Sequence, residues 1–134
     1  MPKDLEIILR IIAAGVFAAA IGIQRERAGK PAGLRTHVLI GMGSALFTVI
    51  SIYGFGEGVD PSRVAAGILT GIGFLGAGVI FRSMGGKVIV GLTTAASVWI
   101  TAAIGMASGA GMYLVALVVT VICVLVLYIP KVKG

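Results

Sequence analysis

The chain has 134 residues, of which 58% are hydrophobic and 12% are charged, and its formal net charge is +6. Soluble domains average about 45–50% apolar and 25% charged residues, so this composition excludes a water-soluble domain. The basic residues lie in short segments between apolar runs, where a membrane explains them and a nucleic-acid partner does not.

Five apolar stretches are long enough to cross about 30 Å of hydrocarbon as helices, which takes roughly 17 to 25 residues each. They cover approximately residues 5–23, 36–54, 62–81, 91–108 and 112–129. We therefore expect an all-α, polytopic membrane protein with about five transmembrane helices. We expect these helices to form a single domain over residues 1–134, without a soluble C-terminal domain.

The first stretch has some features of a cleaved signal peptide, because Lys3 precedes an apolar core with small residues. Glu6 and Arg10 interrupt that core, and the charged segment QRER at residues 24–27 follows it directly. We therefore predict a retained helix. Glu6 and Arg10 are four residues apart in the order that favours a helical ion pair, so we expect them to neutralise each other.

The densest polar segment is IQRERAGKPAGLRTH, residues 23–37, between the first two helices. Its basic side chains suit anionic lipid head groups, and those that open the second helix could reach an anion or a partner carboxylate. The single His at this position is more often a hydrogen-bonded structural residue than a ligand. The residues that we predict for partner or anion interaction are Arg25, Arg27, Arg35, Thr36 and His37.

The third helix is predicted to begin at Asp60-Pro61, because the Asp carboxylate can accept orphan amide protons and proline has none. It contains GIGFLGAG at residues 71–78, the glycine spacing of dinucleotide-binding loops. That fingerprint needs an acidic residue about twenty positions later, and residues 90–100 contain none, so we exclude a nucleotide site. Gly67 and Gly71 form G-x-x-x-G, which predicts close helix packing. The alternative is a broken or re-entrant helix whose backbone lines a polar cavity.

Small and hydroxylated residues recur every four positions in the fourth helix, from Thr93 to Gly105, with Ser108 close behind. Such a stripe either lines a hydrophilic path or packs against other helices with its hydroxyls bonded to carbonyls. The residues that we predict for helix packing or a pathway are Gly67, Gly71, Gly73, Gly76, Gly78, Thr93, Thr94, Ser97 and Thr101.

Carboxylates are absent from the middle of every apolar stretch, which argues against a magnesium site within one copy of the chain. Cys123 is the only cysteine, and no acid–base pair, nucleophile constellation or metal cluster accompanies His37. We therefore predict no enzymatic activity and no cofactor, and the sequence identifies no metal ligands.

Eight basic residues fall in residues 24–35, 82–90 and 130–134, and three fall on the opposite side. Because basic residues favour the cytoplasmic side, we expect the N-terminus outside and the C-terminus in the cytoplasm.

Three segments carry a family resemblance: RERAGKPAGLRTHVLIGMGSALF at 25–47, DPSRVAAGILTGIGFLGAGVIFR at 60–82 and GLTTAASVWITAAIGMASGAG at 91–111. In family order and over nearly the whole chain, they resemble the MgtC/SapB membrane proteins of bacteria. The resemblance implies a non-enzymatic protein of the bacterial inner (cytoplasmic) membrane. It implies regulation of membrane-protein partners, such as the F-type ATP synthase, in magnesium and phosphate homeostasis, stress or virulence. The alternative is a channel or transporter for magnesium or another small ion.

The chain departs from this family at two positions. Many members have Glu where this chain has Gln24, which removes a carboxylate next to Arg25, and many have a glutamine where it has Gly67.

Two copies could also build a polar cavity that one copy cannot, so a homodimer is a further expectation.

Overall fold

The structure, a computed structural model, describes residues 3–83 and 91–130. For residues 81–83 it describes the backbone alone. Over these ranges it contains five α-helices and no strand, which confirms the predicted all-α fold. The helices are α1 (Asp4–Arg27), α2 (Leu34–Tyr53), α3 (Ser62–Ser83), α4 (Leu92–Gly109) and α5 (Tyr113–Leu127). Of the basic residues used to predict orientation, Lys87, Lys131 and Lys133 lie outside the described residues.

Helices α1 to α4 are long and apolar enough to cross a bilayer. Helix α5 has 15 residues and is about 22 Å long, shorter than the hydrocarbon core, although apolar residues continue to Ile129. Large apolar side chains point outward from the bundle, such as Leu39, Phe74 and Leu114, which are 71%, 80% and 74% exposed. A surface of this kind contacts lipid rather than water, so the chain is a polytopic membrane protein.

Helices α1, α2 and α4 meet at positions that have no side chain. A Cβ at Gly41 would collide with Ala18 of α1, and one at Gly105 would collide with the backbone carbonyl of Gly41. At Gly109 it would come within 2.7 Å of the Ala45 carbonyl oxygen. Close approach of backbones through small residues is how membrane helices pack without a hydrophobic driving force. These glycines therefore close the interior of the bundle.

Helix α3 packs differently. Its Ile68 and Ile72 are buried against Val98 and Ala102 of α4, but only 11% of the residues in its apolar stretch are buried, against 50% in α4. Most of α3 therefore faces outward.

The backbone of α3 is one continuous helix, which rules out the alternative of a broken or re-entrant helix within residues 62–81. An interrupted helix in hydrocarbon would leave carbonyl groups without partners, at a cost of several kcal/mol each. The predicted start is confirmed within two residues, because Asp60 Oδ1 accepts hydrogen bonds from the Ser62 hydroxyl at 2.6 Å and the Ser62 N–H at 2.9 Å. These bonds stabilise the carboxylate and lower the pKa of exposed Asp60.

The glycine contacts predict which glycine substitutions destabilise the protein and which do not. Gly105→Val should lower the free energy of unfolding by about 1–3 kcal/mol or prevent folding, because its side chain must displace the α2 backbone. Gly67→Val is the matched control, since a Cβ there meets nothing within 4 Å. Thermal unfolding of both variants in detergent measures the difference. Equal losses of stability would contradict this packing arrangement.

Candidate functional site

Two arginines of α1 are buried at opposite ends of the bundle. Arg10 is 7% exposed and Arg25 is 3% exposed. They are 15 positions apart, which corresponds to about 22 Å along the helix. Burying a guanidinium is unfavourable unless charge and hydrogen bonds compensate it, so the partners of each arginine decide its role.

Arg10 has a complete set of partners for its terminal nitrogens. Nη2 donates to Glu6 Oε1 at 2.9 Å, which confirms the predicted ion pair. Nη1 donates to the Tyr53 hydroxyl at 3.1 Å and to the Gly109 carbonyl at 3.0 Å, and the guanidinium lies 5.4 Å from the Tyr53 ring centroid. Tyr53 and Gly109 are the last residues of α2 and α4, whose carbonyl ends attract a cation. Arg10 therefore ties three helices together at this end.

Arg25 has far fewer partners. Its Nη2 donates to Thr94 Oγ1 at 2.8 Å, and its Nε, like that of Arg10, is buried without a hydrogen-bond partner among the described residues. All five carboxylates of the chain lie in described segments, and there the only ion pair is between Arg10 and Glu6. Within the described part of the chain, Arg25 is therefore a buried cation without a counter-charge.

His37 lies beside Arg25 and is completely buried. Its Nδ1 is 2.8 Å from the Gly33 carbonyl oxygen, and its Nε2 is 2.9 Å from Ser97 Oγ. A carbonyl can only accept, so we assign a proton to Nδ1. The Ser97 hydroxyl also lies 2.7 Å from the Thr94 carbonyl oxygen. When the His37 ring is neutral, the hydroxyl has one proton and donates it either to that oxygen or to Nε2. His37 is thus a hydrogen-bonded structural residue that links α2 to α4.

The structure separates the residues that the sequence grouped for partner or anion interaction. Arg25 and His37 are buried, and both contact the first turns of α4, at Thr94 and Ser97. The exposed members of the predicted group do not join them. These exposed members are Arg27, Arg35 and Thr36.

The hydroxyl stripe of α4 lies between helices. Ser97, Thr101 and Ser108 are at most 3% exposed. The Thr101 hydroxyl donates to the Ser97 carbonyl at 2.6 Å, and the Ser108 hydroxyl donates to the Arg10 carbonyl at 2.7 Å. Thr93 is half-buried. This geometry supports helix packing, since the buried hydroxyls are bonded to carbonyls.

The glycines of α3 remain open. A Cβ at Gly67, Gly71, Gly73 or Gly78 would meet no described atom within 4 Å, whereas one at Gly76 would lie 3.6 Å from the Ala95 side chain. Gly67 and Gly71 instead line a groove of about 610 Å³ between α2 and α3. Its other walls include Leu39, Phe47, Val64 and Leu75, and no charged residue lines it. We call this space the α2–α3 groove.

Sequence reasoning missed the contacts of Tyr53 and Gly109 with Arg10, which join residues 43 and 99 positions apart. One signal was available for the packing of α4, because Gly105 and Gly109 also have the G-x-x-x-G spacing. Over the described residues, no group of three or more His, Cys, Asp or Glu side chains is placed to hold a metal ion.

The fold and these buried polar contacts define a helical, multi-pass membrane protein. Its sequence matches the model of the MgtC family over residues 11–133. The chain therefore belongs to the MgtC family, as the sequence resemblance predicted. No solved structure matches it.

Three relatives illustrate the range of similarity. The chain is 53% identical to the "Putative magnesium transporter YhiD" of Escherichia coli strain K12, over 91% of this chain and 59% of the relative. It is 44% identical to protein MgtC of Salmonella typhimurium strain LT2, over 86% and 48%, and 42% identical to protein SapB of Bacillus subtilis, over 82% and 50%. The chain thus spans about half to three fifths of the length of these relatives.

The role of His37 can be measured directly. His37→Leu should lower the free energy of unfolding by about 1–3 kcal/mol, because it leaves buried polar groups of Gly33 and Ser97 with fewer partners. His37→Gln, which keeps an amide for these bonds, should recover part of the loss. Thermal unfolding in detergent compares the two variants. If His37→Leu is as stable as the parent protein, these bonds do not stabilise the fold.

Proposed function

We propose that this protein is a non-enzymatic regulator in the bacterial inner (cytoplasmic) membrane, which binds a transmembrane helix of another membrane protein in the α2–α3 groove. The observation that carries the proposal is the open glycine face of α3. Gly67 and Gly71 line an apolar groove and have nothing within 4 Å of a Cβ position. A helix can approach the backbone closely there, as at other G-x-x-x-G contacts in membranes.

The interior of the bundle supports binding rather than cation transport. The buried guanidinium of Arg25, which has no counter-charge among the described residues, repels a cation along the bundle axis, whereas Arg10 is paired with Glu6. The Ser97 and Thr101 hydroxyls of α4, which would have to replace the water shell of an ion, are bonded to carbonyls of the protein. The interior of a single copy therefore provides few free oxygen ligands to a cation along the bundle axis.

Family membership supports the biological setting of the proposal. The proposed roles are magnesium and phosphate homeostasis, stress or virulence, and the F-type ATP synthase is the first partner to test. We place the N-terminus outside and the C-terminus in the cytoplasm. A homodimer through the same face of α3 is the competing use of the groove.

Site-specific photo-crosslinking in cells tests this proposal. A photo-reactive amino acid at Leu75, which lines the groove and is 49% exposed, should give an adduct with a membrane protein. The same amino acid at Phe74, which is 80% exposed but outside the groove lining, is the matched control and should not. Gly71→Leu should fill the groove and reduce the adduct several-fold, whereas Gly73→Leu on another face of α3 should not.

Two outcomes would contradict the proposal. Equal adducts at Leu75 and Phe74 would show that the groove has no preferred occupant. An adduct between two differently tagged copies would assign the groove to a homodimer.

A second candidate function is transport of magnesium or another small ion, favoured by the name of the relative from Escherichia coli K12. Liposomes that contain the protein and a magnesium-sensitive dye distinguish the two functions. We expect no influx above that of empty vesicles, because the interior hydroxyls are already bonded. The diagnostic variant is Ser97→Ala, since a larger residue at buried Ser97 would disturb the packing. Influx that Ser97→Ala reduces several-fold would establish transport and overturn the regulator proposal.

A further inference from the structure

The end of the bundle that carries Arg25 is also where α2 and α4 begin. A helix N-terminus carries roughly half a positive charge from its free N–H groups. Helix α4 follows Gly91, which provides no side-chain cap, and its first backbone bond runs from Ala95 N to the Gly91 carbonyl at 2.9 Å. At the start of α2, Glu26 Oε1 is 3.4 Å from Leu34 N, a long contact. The start of α4 is therefore a positive helix end without a side-chain cap, and the start of α2 is partly neutralised by the Glu26 carboxylate.

Arg25 adds a full positive charge at the same place. Its bond to Thr94, the third residue of α4, holds the guanidinium against the first turn of that helix. A cation is unfavourable at a helix N-terminus, and this one is 3% exposed. The buried Nε donor has no partner in the described part of the chain. A negatively charged acceptor would stabilise all three features: the Arg25 charge, the positive start of α4 and the unpartnered Nε donor.

We propose that Arg25, together with the first turns of α2 and α4, forms a binding site for a phosphate-type oxyanion. The oxyanion is either free inorganic phosphate or the phosphate of a lipid head group. An anion with several acceptor oxygens can take hydrogen bonds from the guanidinium fork and from N–H groups at a helix start together. Exposed Arg27 and Arg35, in the adjoining loop and at the start of α2, raise the local concentration of anions.

The site is distinct from the α2–α3 groove. It uses α1 and the beginnings of α2 and α4, whereas the groove is lined by α2 and α3. Loss of the oxyanion site and loss of partner binding are therefore measured separately.

The first test is thermal unfolding in a maltoside detergent that contains no phosphate, with sodium phosphate titrated against sodium chloride at matched ionic strength. Saturating phosphate should raise the Tm of the parent protein by on the order of 5 °C, because a ligand of the folded state stabilises it by mass action. Arg25→Gln should abolish the rise. Arg27→Gln, which removes an exposed charge two residues away, should keep it.

The second test needs no variant to fold. The Nε–H groups of the arginines are followed by nitrogen-15 NMR in the parent protein, in detergent with inorganic phosphate and in phosphatidylglycerol nanodiscs without it. A new hydrogen bond at Arg25 Nε should shift its resonance, whereas the resonance of Arg10 Nε, which is also buried without a partner but lies at the opposite end of the bundle, should stay in place. A shift with inorganic phosphate supports a free oxyanion, and a shift in the nanodiscs alone supports a lipid head group.

Three outcomes would overturn the proposal. The first is that neither probe changes the Tm or the Nε resonance of the parent protein. The second is that Arg25→Gln retains the full response to phosphate. The third is that Arg27→Gln loses the response to the same extent as Arg25→Gln, which would reduce the effect to general surface charge.

Discussion

The constraint on which the rest of this structure depends is that hydrocarbon offers no partner to a polar group. Buried donors are therefore stabilised by acceptors inside the protein, although Arg10 Nε and Arg25 Nε find none among the described residues. Helix α4 supplies most of these acceptors and donors. Its Thr94 receives Arg25, its Ser97 contacts His37, and the carbonyl of Gly109 accepts from Arg10. The close backbone contact at Gly105 follows from this role, because short side chains such as Ser and Thr reach a neighbouring helix only when the backbones are near.

Because the polar contacts join α1, α2 and α4, helix α3 is left at the edge of the bundle. Its contacts with α4 are apolar, through Ile68 and Ile72, and most of its glycines face open space. The chain thus separates two tasks. One group of helices bonds most of the buried polar atoms, and α3 presents an open glycine face, where we propose that a partner helix binds.

The sequence predicted the features that depend on local chemistry. Hydropathy and length located all five helices, since a lipid-facing segment must be apolar along its whole length. The pair of Glu6 and Arg10 was predictable because the two residues are one helical turn apart. The tertiary contacts were not predictable, because nothing in the sequence connects Arg25 with Thr94, which is 69 positions away.

The glycines show the limit of sequence reasoning more sharply. The G-x-x-x-G spacing occurs at Gly67 in α3 and again at Gly105 in α4, and the spacing does not say which helix faces inward. Among the described residues, only the motif at Gly105 is packed against another backbone. The alternative of a broken α3 is excluded for another reason. A glycine weakens a helix in water by about 1 kcal/mol, but in lipid the cost of unbonded carbonyls is several times larger.

Gln24 bears on why Arg25 has no counter-charge. The two residues are adjacent, yet successive residues of a helix point about 100° apart. The Gln24 side chain reaches α5, where Nε2 donates to the Leu127 carbonyl at 3.4 Å, while Arg25 reaches α4. No hydrogen bond joins the Gln24 and Arg25 side chains among the described residues. The geometry of α1 therefore directs these two neighbouring side chains to different helices, and Arg25 is left with Thr94 as its hydrogen-bond partner.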